Sequence, residues 1–156
     1  MKPISIVIET PKGSGHKYNY QPDQKNFKLK KLLPAGMVFP YDFGFIPDTR
    51  GEDGDPLDVM VISEIATFPG CCMDCRIIGA FKVLQTAPDG KTIRNDRFFA
   101  IPEVSVMFKD VTDIKDLPHA LLDQLEHFFK NYITQEGKLL EVTERIGAAA
   151  ARKMIH

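Results

Sequence analysis

The sequence is poor in the features that would place it in a specialised class. It has only three cysteines, Cys71, Cys72 and Cys75, odd in number and clustered in one short stretch. A metal-thiolate site needs a fourth ligand, and no further Cys or His lies close by to complete one. The three therefore read as reduced thiols in or beside a strand, and a cytoplasmic protein is the default expectation. No run of about eighteen apolar residues occurs, so no membrane span is expected. Met1-Lys2-Pro3-Ile4-Ser5-Ile6 passes straight into an alternating pattern without an apolar leader core, so no signal peptide is expected. Nor is there an excess of either charge: 20 basic and 21 acidic side chains leave a formal net charge of -1. That balance argues against a general nucleic-acid binder, while leaving room for a local basic pocket that takes a small phosphate ligand.

What is present suits one domain spanning residues 1–156. Hydrophobic residues make up 44% and charged residues 26%, the balance of a globular chain long enough to bury a core. Pro and Gly punctuate the first two thirds, with short apolar runs between them. Ile4 to Ile8, Lys17 to Tyr20, Phe27 to Leu33, Leu57 to Ile62, Cys75 to Leu84 and Arg97 to Ile101 read as strands. A polar loop around Pro88-Asp89-Gly90 joins the last two. The final third reads as helix. Asp116 is a candidate cap, Pro118 suits a first turn, and Leu121, Leu122, Leu125, Phe128 and Phe129 recur at helical spacing up to a stop at Gly137. Glu144 to Lys153 reads as a second, alanine-rich helix. Strands followed by helices indicate an α+β fold, with the strands closing as a small barrel.

The most informative segment is Glu52-Asp53-Gly54-Asp55-Pro56-Leu57-Asp58. Carboxylates this crowded repel unless a cation or proton offsets them. Mg²⁺ typically binds one or two carboxylates together with waters and substrate phosphates. Gly54 permits a tight backbone path and Pro56 stiffens it. A solvated acidic turn is the plain alternative, but Asp58 stands between Leu57 and Val59 at a strand entrance, an odd place for an idle charge. An EF-hand loop counted from Asp53 reaches Glu64 at its last position, yet has Asp58 where that motif needs Gly.

Asp53-Gly54-Asp55-Pro56-Leu57-Asp58-Val59 resembles the signature of the family I soluble inorganic pyrophosphatases, Asp-x-Asp-Pro-x-Asp with apolar residues around the last Asp. Val7 to Pro11, Lys17-Tyr18, Phe39 to Ile46 and His127 to Tyr132 are similar to family segments, in family order. The resemblance implies a five-stranded OB-like closed barrel with flanking C-terminal helices, and hydrolysis of pyrophosphate to two phosphates. It implies that Asp53 and Asp58 ligate Mg²⁺, for which Mn²⁺ or another divalent ion could substitute, and that Asp55 is the base acting on the attacking water. It assigns phosphate contacts to Lys17, Lys31, Arg97 and Tyr132, and further active-site positions to Glu9 and Phe43. Asp96 and Asp89 are candidates for two outer metal ligands, although Asp89-Gly90 reads equally as a hairpin turn. A homo-oligomer is expected by resemblance only.

The chain also departs from that pattern. Phe39 and Phe43 stand where well-known relatives carry tyrosine, Asn19 where many carry glutamate, and Ile133 where a lysine often follows the tyrosine. Arg97 replaces a family lysine, and Lys31 an arginine common in relatives, which gives up any bidentate grip on phosphate. Two other functions compete. A hydrolase of another small phosphoanhydride would want a base- or ribose-binding segment, for which 156 residues leave little room. A noncatalytic OB-type module for single-stranded nucleic acid would need exposed aromatics beside basic residues, with Phe39, Phe43, Phe45, Lys30 and Lys31 as candidates. The neighbouring acids would repel such a backbone.

Overall fold

A computed structural model describes residues 2–155. Its strands are β1 (Ile4–Thr10), β2 (His16–Gln21), β3 (Asn26–Leu32), β4 (Asp42–Ile46), β5 (Leu57–Val61), β6 (Cys72–Thr86), β7 (Thr92–Arg94), β8 (Arg97–Pro102) and β9 (Leu139–Gly147). The helices are α1 (His119–Thr134) and α2 (Ala148–Lys153). Strands β1, β4, β5, β8 and β6 pair in that order, and β6 pairs back onto β1, which closes a ring of five. This is the expected OB-like architecture. All the ring pairings are antiparallel except β5 with β8, which run parallel. That single parallel pair sets Asp58 and Arg97 side by side at the starts of their strands.

Successive residues of a strand point to opposite faces, and here both faces are buried. Met60, Ile62, Phe99 and Ile101 pack with Phe81 and Phe129 beneath α1. Their neighbours Val59, Val61, Phe98 and Ala100 pack with Ile6, Ile8, Ile77 and Ala151. Burial on both faces is why β5 and β8 read as unbroken apolar runs rather than alternating ones. Gly44 lets β4 approach β1: a Cβ there would collide with the backbone at Val7 and Ile8. The three cysteines are free, and burial pushes the Cys75 thiol up to about 12, consistent with an inert structural residue.

Three local expectations are corrected. Glu144 to Gly147 is strand rather than helix, because β6 is 15 residues long and its exposed edge from Gly79 to Thr86 takes β9 as a partner. The alanine helix starts only at Ala148, whose N–H donates to Asp113 Oδ2 at 2.9 Å. Asp116 does not cap α1. Its carboxylate accepts from Thr112 and Asp113 around a 3-10 turn, and Pro118 occupies the capping position of α1 without a side-chain bond. Strands β4, β7 and β9 escaped the sequence reading. β7 is a three-residue exposed strand, too short to show a period.

Candidate active site

The acid loop is held as a compact turn before β5. Gly51 N–H donates to the Asp55 carbonyl at 2.7 Å, and Gly54 N–H to the Gly51 carbonyl at 3.0 Å. Gly54 has φ +90°, which glycine adopts without the clash a Cβ would cause. Asp53 accepts from the Asp55 amide at 3.0 Å, which fixes the Asp53 carboxyl against the backbone of the loop. Thr49 accepts the Leu57 N–H at 3.0 Å and pins the entry to the strand.

The loop forms one wall of an open cavity of about 1160 Å³. Asp53, Asp55 and Asp58 line it from this side. Glu9 from β1, Lys17 from β2 and Lys31 from β3 line it from the hairpin side. Arg97 from β8 and Tyr132 from α1 complete the expected set, with Phe43 forming part of the floor. Lys17 is almost fully buried, with Nζ 4.8 Å from the Phe43 ring centroid and 5.6 Å from that of Phe39. The two phenyl rings are thus faces on which an ammonium can rest. Lys31 Nζ lies 4.3 Å from the Tyr132 ring centroid and 3.6 Å from Glu136.

Burial dominates the electrostatics. It raises the carboxyl pKa of Asp58, an effect that Arg97 and Lys17 oppose. It likewise raises that of Glu9, against Lys17 and the Tyr20 N–H that Glu9 accepts at 2.8 Å. Lys17 is pushed down by burial, with Glu9 and Asp58 holding it up. Burial also raises the Tyr132 phenol. Opposite charges kept apart from solvent and incompletely paired mark a site prepared for a charged ligand.

Two expected residues are not brought to the cavity. Asp89 accepts from the Lys91 N–H at 2.9 Å in the β6–β7 turn, where Gly90 has φ +86°, so the hairpin reading describes it. Asp96 faces a separate, smaller cleft; it accepts from Val83 N–H at 2.9 Å and pairs with Arg94 at 3.1 Å. In their place, Gln85 near the end of β6 and Asn95 just before β8 line the main cavity, and residue type gave no reason to select them. Glu136 and Lys138 at the rim were also missed, and Lys30 was considered only for a nucleic-acid surface. Only the folding of β3 and of the turn after α1 over the cavity brings them there. Phe39 and Phe43 are 1% and 4% exposed, so they offer no stacking platform for nucleic acid.

Among the described residues, no group of three His, Cys, Asp or Glu is arranged to enclose a metal ion. The donors present fit a different kind of ion. Two neighbouring carboxylates, Asp53 and Asp58, on an open cavity suit a divalent cation that keeps several waters and takes phosphate oxygens as its other ligands. A cavity lined by three aspartates together with Lys17, Lys31 and Arg97 suits a small polyanion handled together with cations. On an OB-like ring of strands, such a cavity defines a protein built to handle a small phosphate polyanion with divalent cations.

Comparisons with known proteins agree. The family model described as inorganic pyrophosphatase matches residues 6–156. The inorganic pyrophosphatase of Halalkalibacterium halodurans is 40% identical over 154 residues, covering 99% of this chain and 91% of that one. The crystal structure of the Thermus thermophilus inorganic pyrophosphatase superposes with a TM-score of 0.84 at 34% identity, covering 96% of this chain and 85% of that one. That of Helicobacter pylori gives 0.88 at 28% identity, with 97% and 88% covered. The chain belongs to the inorganic pyrophosphatase family, whose members depend on divalent metal ions, and its reaction is the hydrolysis of pyrophosphate.

Proposed function

We propose that this cavity carries out the hydrolysis with Asp55 as the base for the attacking water and Asp53 and Asp58 as the ligands of Mg²⁺. The observation that supports it is the meeting of these three aspartates with Lys17, Lys31 and Arg97 across one cavity. Bound there, Mg²⁺ would make a coordinated water more acidic and offset the charge of the phosphates. Asp55, exposed at the cavity mouth, accepts the proton of the water as it attacks. Lys17, Lys31 and Arg97 bind phosphate oxygens and counter the charge that gathers on the leaving phosphate. The Tyr132 hydroxyl, kept protonated by its burial, is a hydrogen-bond donor to the same oxygens. Glu9 holds the Lys17 ammonium in its charged form against desolvation. The rest of the proposal is a homo-oligomer in the cytoplasm. Exposed Val104, Val106 and Met107 support an apolar contact surface, and no helix among the described residues is long and apolar enough to cross a membrane.

The test is phosphate release from pyrophosphate with Mg²⁺, for the wild type and Asp55→Asn. The wild type should turn over, and loss of the base should slow it by about 10²–10³-fold. No release above background with Mg²⁺, Mn²⁺, Co²⁺ or Zn²⁺ would sink the assignment of this cavity. Full activity in Asp55→Asn would move the role of base to another group.

A further inference from the structure

Arg97 puts a fixed positive charge where a divalent ion would bind. Its Nη1 lies 3.2 Å from Asp58 Oδ2. Nη1 also donates to the Asn95 carbonyl at 2.7 Å, and Nη2 to Gln85 Oε1 at 2.7 Å. Gln85 is itself fixed, because the same Oε1 accepts from Asn95 Nδ2 at 3.0 Å. The guanidinium lies 5.5 Å from the Phe129 ring centroid, and the side chain is only 4% exposed. Two neutral amides and an aromatic face thus clamp the cation in place, and Asp58 is the carboxylate it pairs with. Arg97 Nε is the only buried side-chain nitrogen or oxygen among the described residues without a partner. Such an unmatched donor is costly in a packed interior and is expected where a site serves a ligand.

We propose that Arg97 is a resident counter-cation of the acid cluster. It occupies one oxygen of Asp58 and leaves a divalent ion only the other. It thereby weakens metal binding in the absence of phosphate while strengthening the grip on phosphate itself. The inference rests on Asp53 and Asp58 forming the divalent-ion site. Gln85 and Asn95 act through Arg97 as positioning residues.

The test is calorimetric and spectroscopic, using Mn²⁺ alone and, separately, methylenediphosphonate as a diphosphate that is not hydrolysed. Removing a unit charge this close to a ligand carboxylate should tighten Mn²⁺ about tenfold in Arg97→Gln and weaken methylenediphosphonate by a similar factor. Opposite signs are the signature of charge, since a merely loosened site would weaken both. Parallel weakening, or no change in either, overturns the proposal. Should Arg97→Gln fail to fold, Arg97→Met decides. It keeps an unbranched stem in the same packing but removes the charge, so Mn²⁺ should again tighten about tenfold while methylenediphosphonate weakens. An unchanged Mn²⁺ affinity in that variant also overturns it. If the wild type binds no Mn²⁺ at all, the ion site itself fails and the proposal with it. If Mn²⁺ binds but ignores the charge at position 97, only the counter-cation role is lost.

Discussion

The two ends of the parallel pair β5 and β8 use similar residues in opposite ways. At the far end, beyond Val61 and Pro102, Glu64, Asp42 and Arg76 each have hydrogen-bond partners. Glu64 accepts from Ser105 Oγ at 2.6 Å and from the amides of Val106 and Met107 at 2.9 and 3.0 Å, and these bonds hold its carboxyl at about 2. Asp42 is buried and accepts from Lys12 N–H and from the amide and hydroxyl of Thr67. Arg76 donates to the carbonyls of Val111, Phe108 and Lys109 at 2.7 to 3.1 Å. At the near end, Asp58 and Glu9 have raised carboxyl pKa values, Lys17 is pushed down, and Arg97 keeps an unpartnered Nε. Satisfied charges tie loops to the ring, whereas under-satisfied charges hold energy that a bound polyanion and its cations can release. The same residue types are tied into the fold at one end and left under-satisfied around the cavity at the other.

The comparison breaks first at Arg76. Arg76→Ala leaves three backbone carbonyls without their charged donor and should cost about 3 kcal/mol in urea unfolding. Turnover per folded molecule should stay within about twofold, because the substitution is distant from the cavity. A large loss of activity with unchanged stability would erase the distinction between the ends. Lys17→Met should have the reverse outcome. Burial holds the Lys17 pKa below its ordinary value, so its charged state costs stability at neutral pH, and that cost lifts as pH rises from the lowered folded-state value toward the ordinary lysine value of 10.5. The Met variant should keep its stability within about 1 kcal/mol near neutrality, because relief of the buried ammonium offsets the charge lost beside Glu9, and should lose hydrolysis by about a hundredfold. A destabilised Met variant would mean that the Lys17 charge is part of the fold. The smallest effect is expected at Glu64, whose folded pKa is depressed. The stability it contributes is present above pH 4.5 and is lost as pH falls toward about 2. Urea midpoints measured between pH about 5 and about 2.5 should therefore fall less steeply for Glu64→Gln than for the wild type. Parallel slopes would place the acid sensitivity elsewhere.

Much of the site was legible because its chemistry is local. Three carboxylates around Gly54 and Pro56, ahead of an apolar strand, carry their meaning in a few consecutive residues. The α1 stripe and strands β5 and β8 were legible for the same reason, since period and apolarity are properties of short segments. β9 was not, because Leu139 to Gly147 becomes a strand only through the open edge of β6. Asp89 and Asp96 were selected for being acids in the right stretch of chain. The hairpin β6–β7 turned the first outward and gave the second its own partners.

The sequence by itself determined the family, the acid loop and the apolar runs from which the ring is made. It could not determine which charges would remain unanswered. Pairing, burial and orphaned donors depend on groups far apart in the chain, such as Lys17 with Asp58 and Lys31 with Tyr132. Only closing the ring removes solvent from them together and sets Asp58 against Arg97.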